Sequence, residues 1–198
     1  MSNVIPDALT PENHYVRENC VVFRKTKDTW GGLSNMAAGY PLTIGGVRVS
    51  TSEALYQACR FPHRPDLQRR ILAEKSPMAA KMVGKPYRAE TRADWQDVRV
   101  DVMRWCLCVK LRQNWRSLAA LLRSTGEREI VEDSHKDTFW GAKSAAGRPG
   151  ILIGQNVLGR LLVEVRHEIV LGERTESMQL PPLAIKTFVL LGDDIPPL

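Results

Sequence analysis

Residues 41–61 place three elements in one short span, and that span constrains the chain more than any other. Pro41-Leu42-Thr43-Ile44 and Val47-Arg48-Val49-Ser50 flank Gly45-Gly46, which predicts a hairpin closed by a two-residue turn. The second strand runs directly into Ser50-Thr51-Ser52-Glu53-Ala54-Leu55-Tyr56-Gln57-Ala58-Cys59-Arg60-Phe61. Hydroxyl side chains suited to capping open this stretch, and no Gly or Pro interrupts it, so it predicts a helix. At ~100° per residue, Glu53, Gln57 and Arg60 fall within roughly 40° of one line. A carboxylate, an amide and a guanidinium then share one face, while Leu55, Ala58 and Cys59 turn to a core. Two readings compete for Glu53. Ser50-x-x-Glu53 fits a capping box, with Ser50 as the cap and Glu53 reaching back to its amide. The same stripe fits the wall of an active site, at a helix start whose dipole favours a carboxylate or a bound anion.

The rest of the chain bounds the function. Its 198 residues suffice for one domain with a sizeable core. No stretch approaches the roughly 18 consecutive apolar residues of a membrane helix, and residues 1–19 lack a basic region followed by an apolar core. The expected compartment is the cytoplasm, with no membrane partner. Cys20, Cys59, Cys106 and Cys108 form no C-x-x-C pair, and the histidines show no ligand spacing beside them. The thiols are expected to be reduced, with no disulfide and no metal. No glycine-rich nucleotide fingerprint occurs, and no cofactor is indicated. The net charge of +6 points weakly to an anionic partner, nucleic acid or a phosphorylated ligand.

Taken in order, residues 1–18 read as a loosely held arm and Cys20–Phe23 as a strand. The segment 24–36 is a loop in which Gly31 and Gly32 allow close approach of backbone to a ligand, or a plain turn. Helices are expected from Asp66 to Lys75, from Pro77 to Gly84 behind the Ser76 cap, from Trp95 to Asn114, and from Ser117 to Ser124. Val98, Val102, Trp105 and Val109 keep one apolar stripe. Trp105 belongs in the core, whereas Trp95, at a helix start, can reach a cleft. Glu129–Glu132 is a short strand. The stretch 133–143 mixes acids, a histidine and adjacent aromatics in a loop. His135 there is either a general base or a solvated residue. Residues 144–155 are glycine-rich and expected to be mobile. Asn156 caps a final helix to Leu171, and a short strand is expected at Phe188–Leu191 in an extended tail. The fold class is α+β: one mostly helical domain over 19–172 with a small antiparallel sheet, and a C-terminal extension over 173–198.

Six of these pieces, Gly32-Leu33-Ser34-Asn35, Thr51-Ser52-Glu53, Ser76-Pro77-Met78, Arg92-Ala93-Asp94-Trp95, Asp137-Thr138-Phe139-Trp140-Gly141 and Asn156-Val157-Leu158-Gly159, follow one another in an order that resembles the NADAR, or YbiA-like, family. The resemblance covers about residues 20–171. It implies an N-glycosidase acting on ribose or ADP-ribose attached to an amine. One branch hydrolyses phosphoribosylamino-pyrimidine intermediates of riboflavin synthesis. Another removes ADP-ribose from guanine in DNA as the antitoxin to a DarT-type transferase. The basic charge and Arg60 favour the second branch, with ADP-ribosylated DNA or nucleotide as partner, ADP-ribose as product, and a DarT-type toxin as functional partner. A non-catalytic module that binds ADP-ribose or NAD is the third possibility.

The implied roles follow. Glu53 and then Asp137 are the candidate catalytic carboxylates. Trp95 and Trp140 would stack on a base. Asn35, Gln57 and Asn156 would bind ribose hydroxyls or base edges, and Ser34, Gly141 and Lys143 complete the expected binding set. Family members of the riboflavin type often carry Lys at the position of Arg60, and an arginine cannot act as an amine nucleophile. Arg60 is therefore expected to bind phosphate. Any Schiff base would fall to Lys25, with Lys143 behind it.

Overall fold

The computed structural model describes residues 13–198. In chain order its strands and helices are β1 (Asn13–Val16), β2 (Val21–Phe23), β3 (Leu42–Ile44), β4 (Val47–Val49), α1 (Ser52–Ala58), α2 (Pro65–Leu72), α3 (Pro77–Gly84), α4 (Trp95–Gln113), α5 (Trp115–Ser124), β5 (Ile130–Glu132), β6 (Lys143–Ala145), β7 (Arg148–Gly154), α6 (Val157–Val170), β8 (Val189–Leu190) and β9 (Asp193–Asp194). The α+β class and the weight of helix agree with the sequence reading. The strands are distributed over four small sheets among the described residues, and one pair is parallel.

The chain divides into two compact units. One runs to Ser34 and resumes at Ala119–Arg174; the other comprises Asn35–Leu118 and Thr175–Leu198.

In the first unit β7 pairs antiparallel with both β1 and β6, and β2 pairs parallel with β5. Alternation along β1 turns Tyr15 inward, where it meets Val131, Ala142 and Leu152, with Cys20 and Val22 packed against them. Leu158, Leu161, Leu162, Val165 and Ile169 give α6 a buried stripe, and α6 packs on β5. Two expectations change here. Residues 1–12 of the expected arm lie outside the described residues, but Asn13–Val16 is a paired strand rather than a loose arm. Residues 144–155, expected to be mobile, form most of the β6–β7 hairpin. Its Ile151-Leu152-Ile153 core supplies the β-branched and apolar residues that a strand needs.

In the second unit β3 and β4 form the expected hairpin, with Gly45 and Gly46 both at positive φ. Every residue of α1 is buried, and the helix packs against α2, α3 and α4. Ser76 Oγ accepts from the Ala79 amide at the start of α3, with Pro77 as its first residue. The C-terminal segment is tied to these helices. Trp105 Nε1 donates to the Pro181 carbonyl, and its ring meets Phe188 edge-on at 4.9 Å. Gln68 Nε2 donates to the carbonyls of Ala58 and Val189, while its Oε1 accepts from the Leu191 amide. Leu180 and Leu198 exchange backbone hydrogen bonds. The segment 175–198 is thus part of this unit's framework. The strand expected at Phe188–Leu191 is present as β8, paired with β9.

Candidate active site

The second unit brings Asn35, Glu53, Gln57, Arg60 and Trp95 together. The capping box is not formed. Thr51, not Ser50, caps α1, accepting from the Ala54 amide at 3.2 Å, and Ser50 Oγ donates to the Glu74 carbonyl. Asn35 closes the helix start from outside: its carbonyl accepts from the Glu53 amide and from Ser52 Oγ. The Glu53 and Ala54 amides at the start of this seven-residue helix are thus bonded within the protein, to the Asn35 carbonyl and to Thr51 Oγ1. With Thr51 as the cap, the Glu53 side chain takes no part in capping.

The Glu53 carboxylate is instead held on both oxygens by side-chain amides. Asn35 Nδ2 donates to Oε2 at 3.0 Å, and Gln57 Nε2 donates to Oε1 at 2.8 Å. Gln57 is thereby oriented with its own Oε1 towards Arg60, whose Nη1 donates to it at 3.3 Å. Arg60 Nη2 donates to Thr91 Oγ1 at 3.2 Å. The result is a chain of polar groups in a setting where only 6% of Glu53 is exposed. Each carboxylate oxygen keeps a lone pair beyond the bond it accepts. Asn35 Oδ1 and Arg60 Nε are buried without a hydrogen-bond partner, so the chain has an open acceptor at one end and an open donor at the other. Burial pushes the Tyr56 phenol well above its ordinary value, and the Glu53 charge adds to this.

Trp95 is buried. Its ring lies 5.0 Å from that of Tyr56, and the Arg60 guanidinium sits over it at 5.3 Å. Trp95 therefore supports Arg60 from within the core and presents no open face for a base. A cleft of about 530 Å³ runs beside Thr91, bounded by Pro62, His63, Arg92 and, from the C-terminal segment, Lys186 and Thr187. This volume is in the range that takes a nucleotide-sized ligand. Arg92 fixes the cleft wall by donating to the carbonyls of Lys186 and Thr187 and pairing with Asp94 at 2.6 Å.

The first unit gathers Asp137, Trp140, Gly141 and Asn156. Asp137 Oδ1 accepts from the backbone amides of Phe139 and Trp140 at 3.0 and 2.9 Å, an Asx turn. Trp140 is partly buried and meets Phe139 edge-on. A Cβ on Gly141 would stand 2.5 Å from the Glu132 carbonyl oxygen, so only glycine lets this loop approach the end of β5. Gly31 plays the same part against the Thr26 carbonyl; its close approach is to the chain itself. Asn156 stands at the N-cap position of α6, but its side chain makes no capping bond. It sits at φ 50° with its side chain fully buried, donating to the Ile130 carbonyl and accepting from the Glu132 amide. It braces β5, with the oxygen and the nitrogen of its amide each bonded to that strand. Lys25 is exposed, in a loop held by its own amide to Asp28; Lys143 is exposed on β6. His135 is exposed and meets the Arg24 guanidinium. Ser34 is buried.

Thr91 and Tyr56 were missed by sequence reasoning, because nothing local marks a threonine 31 residues from its arginine. A charge signal did exist: residues 60–90 hold eight Lys or Arg against three acids.

The NADAR domain matches residues 22–170, and the chain belongs to the NADAR family. It is similar to N-glycosidase YbiA of Escherichia coli, at 32% identity over 161 residues that cover 80% of this chain and 93% of that protein. It is also similar to a riboflavin biosynthesis protein of Vibrio vulnificus (36% identity, covering 78% of this chain and 40% of that one) and to the chloroplastic riboflavin biosynthesis protein PYRR of Zea mays (33%, covering 86% and 29%). The chain spans less than half the length of either riboflavin protein. The solution structure of Escherichia coli YbiA superposes with a TM-score of 0.65 at 31% identity, covering 81% of this chain and 90% of that one.

Proposed function

We propose that this chain is an N-glycosidase that hydrolyses the bond between ribose C1 and an exocyclic amine, and that its substrate is ADP-ribose on guanine in DNA. The observation that carries the reading is the buried Glu53 carboxylate gripped by Asn35 and Gln57. Two amides fix its direction while leaving lone pairs for a proton, the arrangement a general acid–base needs. The likeness to an N-glycosidase over nearly its whole length supports the reaction class.

In the proposed reaction the exocyclic nitrogen pushes its lone pair to C1. The bond from C1 to the ring oxygen breaks, and Glu53 gives that oxygen a proton. Water then adds to C1 of the resulting iminium as Glu53 takes its proton. Glu53 passes this proton to the nitrogen as the C1–N bond breaks, and receives the proton of the new carbonyl. The products are free sugar and free amine. Asn35 Oδ1 is the acceptor for a ribose hydroxyl. Lys25 is the proposed amine if the open-chain sugar is held as a Schiff base, and borohydride trapping of an adduct absent from Lys25→Ala tests that step.

The basic stretch around Arg60 supports the DNA substrate. A second reading, a glycosidase of phosphoribosylamino-pyrimidines, is favoured by the two riboflavin relatives. Incubation with an oligonucleotide carrying ADP-ribosylated guanine, followed by mass spectrometry, separates them. Free ADP-ribose is expected. Release only of ribose 5-phosphate from the pyrimidine supports the second reading, and binding without release makes the chain a non-catalytic module.

A further inference from the structure

Arg60 also borders a second feature, which Thr91 does not line. It lines a small pocket with Met78, Lys81, Met82, Lys85 and Arg88, of about 150 Å³. Four cations and no acid meet there. The volume is well under the ~300 Å³ at which pockets for whole organic ligands begin, but it admits a tetrahedral oxyanion and its bridging waters. We propose that this pocket is a subsite for a phosphoryl group carried by the sugar whose C1 is released. The proposal rests on the glycosidase reading and adds to it the group by which the sugar is recognised.

Several observations converge. Lys81 and Lys85 are four residues apart, on α3 and directly after it, so they share a face, where like charges repel. Among the described residues, Lys81, Lys85 and Arg88 make no ion pair. Asp66 and Glu90, two of the three acids in residues 60–90, both pair with Arg64. Arg60 Nε is buried with no partner. Burial pulls the Arg60 guanidinium below its ordinary value, and the like charge of Arg88 adds to this. A bound dianion offsets all of these costs at once. A guanidinium also takes two phosphate oxygens side by side, which lysine at this position cannot do. Arg60 links the pocket to the carboxylate through one side chain, donating to Gln57, which donates to Glu53. Met78 and Met82, about half exposed, give the rim an apolar surface for the sugar.

The test measures binding, which does not require turnover. The full chain is titrated with ribose 5-phosphate and with ribose, alongside the double variants Lys81→Ala/Lys85→Ala and Lys81→Arg/Lys85→Arg. Both lysines are exposed, and circular dichroism checks that the fold is kept. The expected result is tenfold or more tighter binding of ribose 5-phosphate than of ribose. That preference should be lost in the alanine variant and kept in the arginine variant. Equal affinity of wild type and alanine variant for ribose 5-phosphate overturns the proposal. Loss of affinity for an unmodified single-stranded oligonucleotide, with ribose 5-phosphate binding intact, also overturns it and assigns the patch to the DNA backbone. If phosphate affinity follows the lysines while no glycosidic bond is cleaved in any substrate, the subsite stands and the catalytic reading falls.

Discussion

Glu53 and Asp137 are both acids on family motifs, and they are held in opposite ways. Glu53 is gripped by the side chains of Asn35 and Gln57, whereas Asp137 accepts from the main chain of Phe139 and Trp140. A carboxylate bound to backbone amides shapes a loop, and any side chain with a suitably placed oxygen can do much the same work. A carboxylate bound by side-chain amides shapes nothing in the backbone. Burying such a group costs free energy, and that cost is understandable if the group handles a proton. The contrast ranks the two candidate carboxylates without reference to any ligand.

The sharpest way to break this comparison is to neutralise each acid in turn. Glu53→Gln is expected to lower kcat by roughly 100- to 10,000-fold, the usual worth of a positioned acid–base, while the fold persists. Asp137→Asn keeps an oxygen for the Asx turn, and its cost to kcat is expected to stay under about tenfold. A loss equal to that of Glu53→Gln would make Asp137 the second catalytic carboxylate.

Asn156 tests the first unit's side of the contrast. Asn156→Ala removes one buried and one part-buried hydrogen bond to β5 and places alanine at positive φ. The expected loss is about 3 kcal/mol in urea denaturation, with substrate affinity unchanged once the protein is folded. A stable variant with lost affinity would restore Asn156 to the binding set.

Lys110 sharpens the comparison from within the Glu53 unit. It is almost fully buried on α4, its ammonium 4.3 Å from the Tyr40 ring, and burial pulls it down to about 7. Its value in the folded chain lies below the ~10.4 of an unfolded one. The unfolded chain therefore binds the extra proton between those limits, and stability rises with pH across that window. Lys110→Met is expected to flatten this rise between pH 7.5 and 9.5. It should also add about 2–3 kcal/mol at the lower pH, the lost interaction with Tyr40 offsetting part of the gain. The shift of the phenol, raised by burial, acts above that window. An unchanged slope would mean that Lys110 stays charged when folded.

Local signals carried most of the fold. Gly45-Gly46, Ser76-Pro77 and the Val98 to Val109 stripe each lie within one element, and each appears where the sequence indicates. The failures share a physical cause, which is that partners distant in sequence decide the outcome. Ser50 and Thr51 are adjacent hydroxyls, and the contact of Ser50 with Glu74 leaves the cap to Thr51. Asn156 has the pattern of a cap, but Ile130, 26 residues away, takes its amide. The stripe of Glu53, Gln57 and Arg60 was legible from helical spacing; its anchor at Asn35 and its end at Thr91 were not.

The unit that holds Glu53 is discontinuous in the chain, and this has a consequence during synthesis. Besides Ala58, Gln68 finds partners at Val189 and Leu191, and besides Asp94, Arg92 finds them at Lys186 and Thr187. A ribosome that has made residues 35–118 has not yet made the residues that finish them, and contacts of such long range form late. A nascent chain stopped near residue 175 should leave α2 and α4 open to protease, and extension to residue 198 should close them. Protection already complete at residue 175 would show that the helices mature alone.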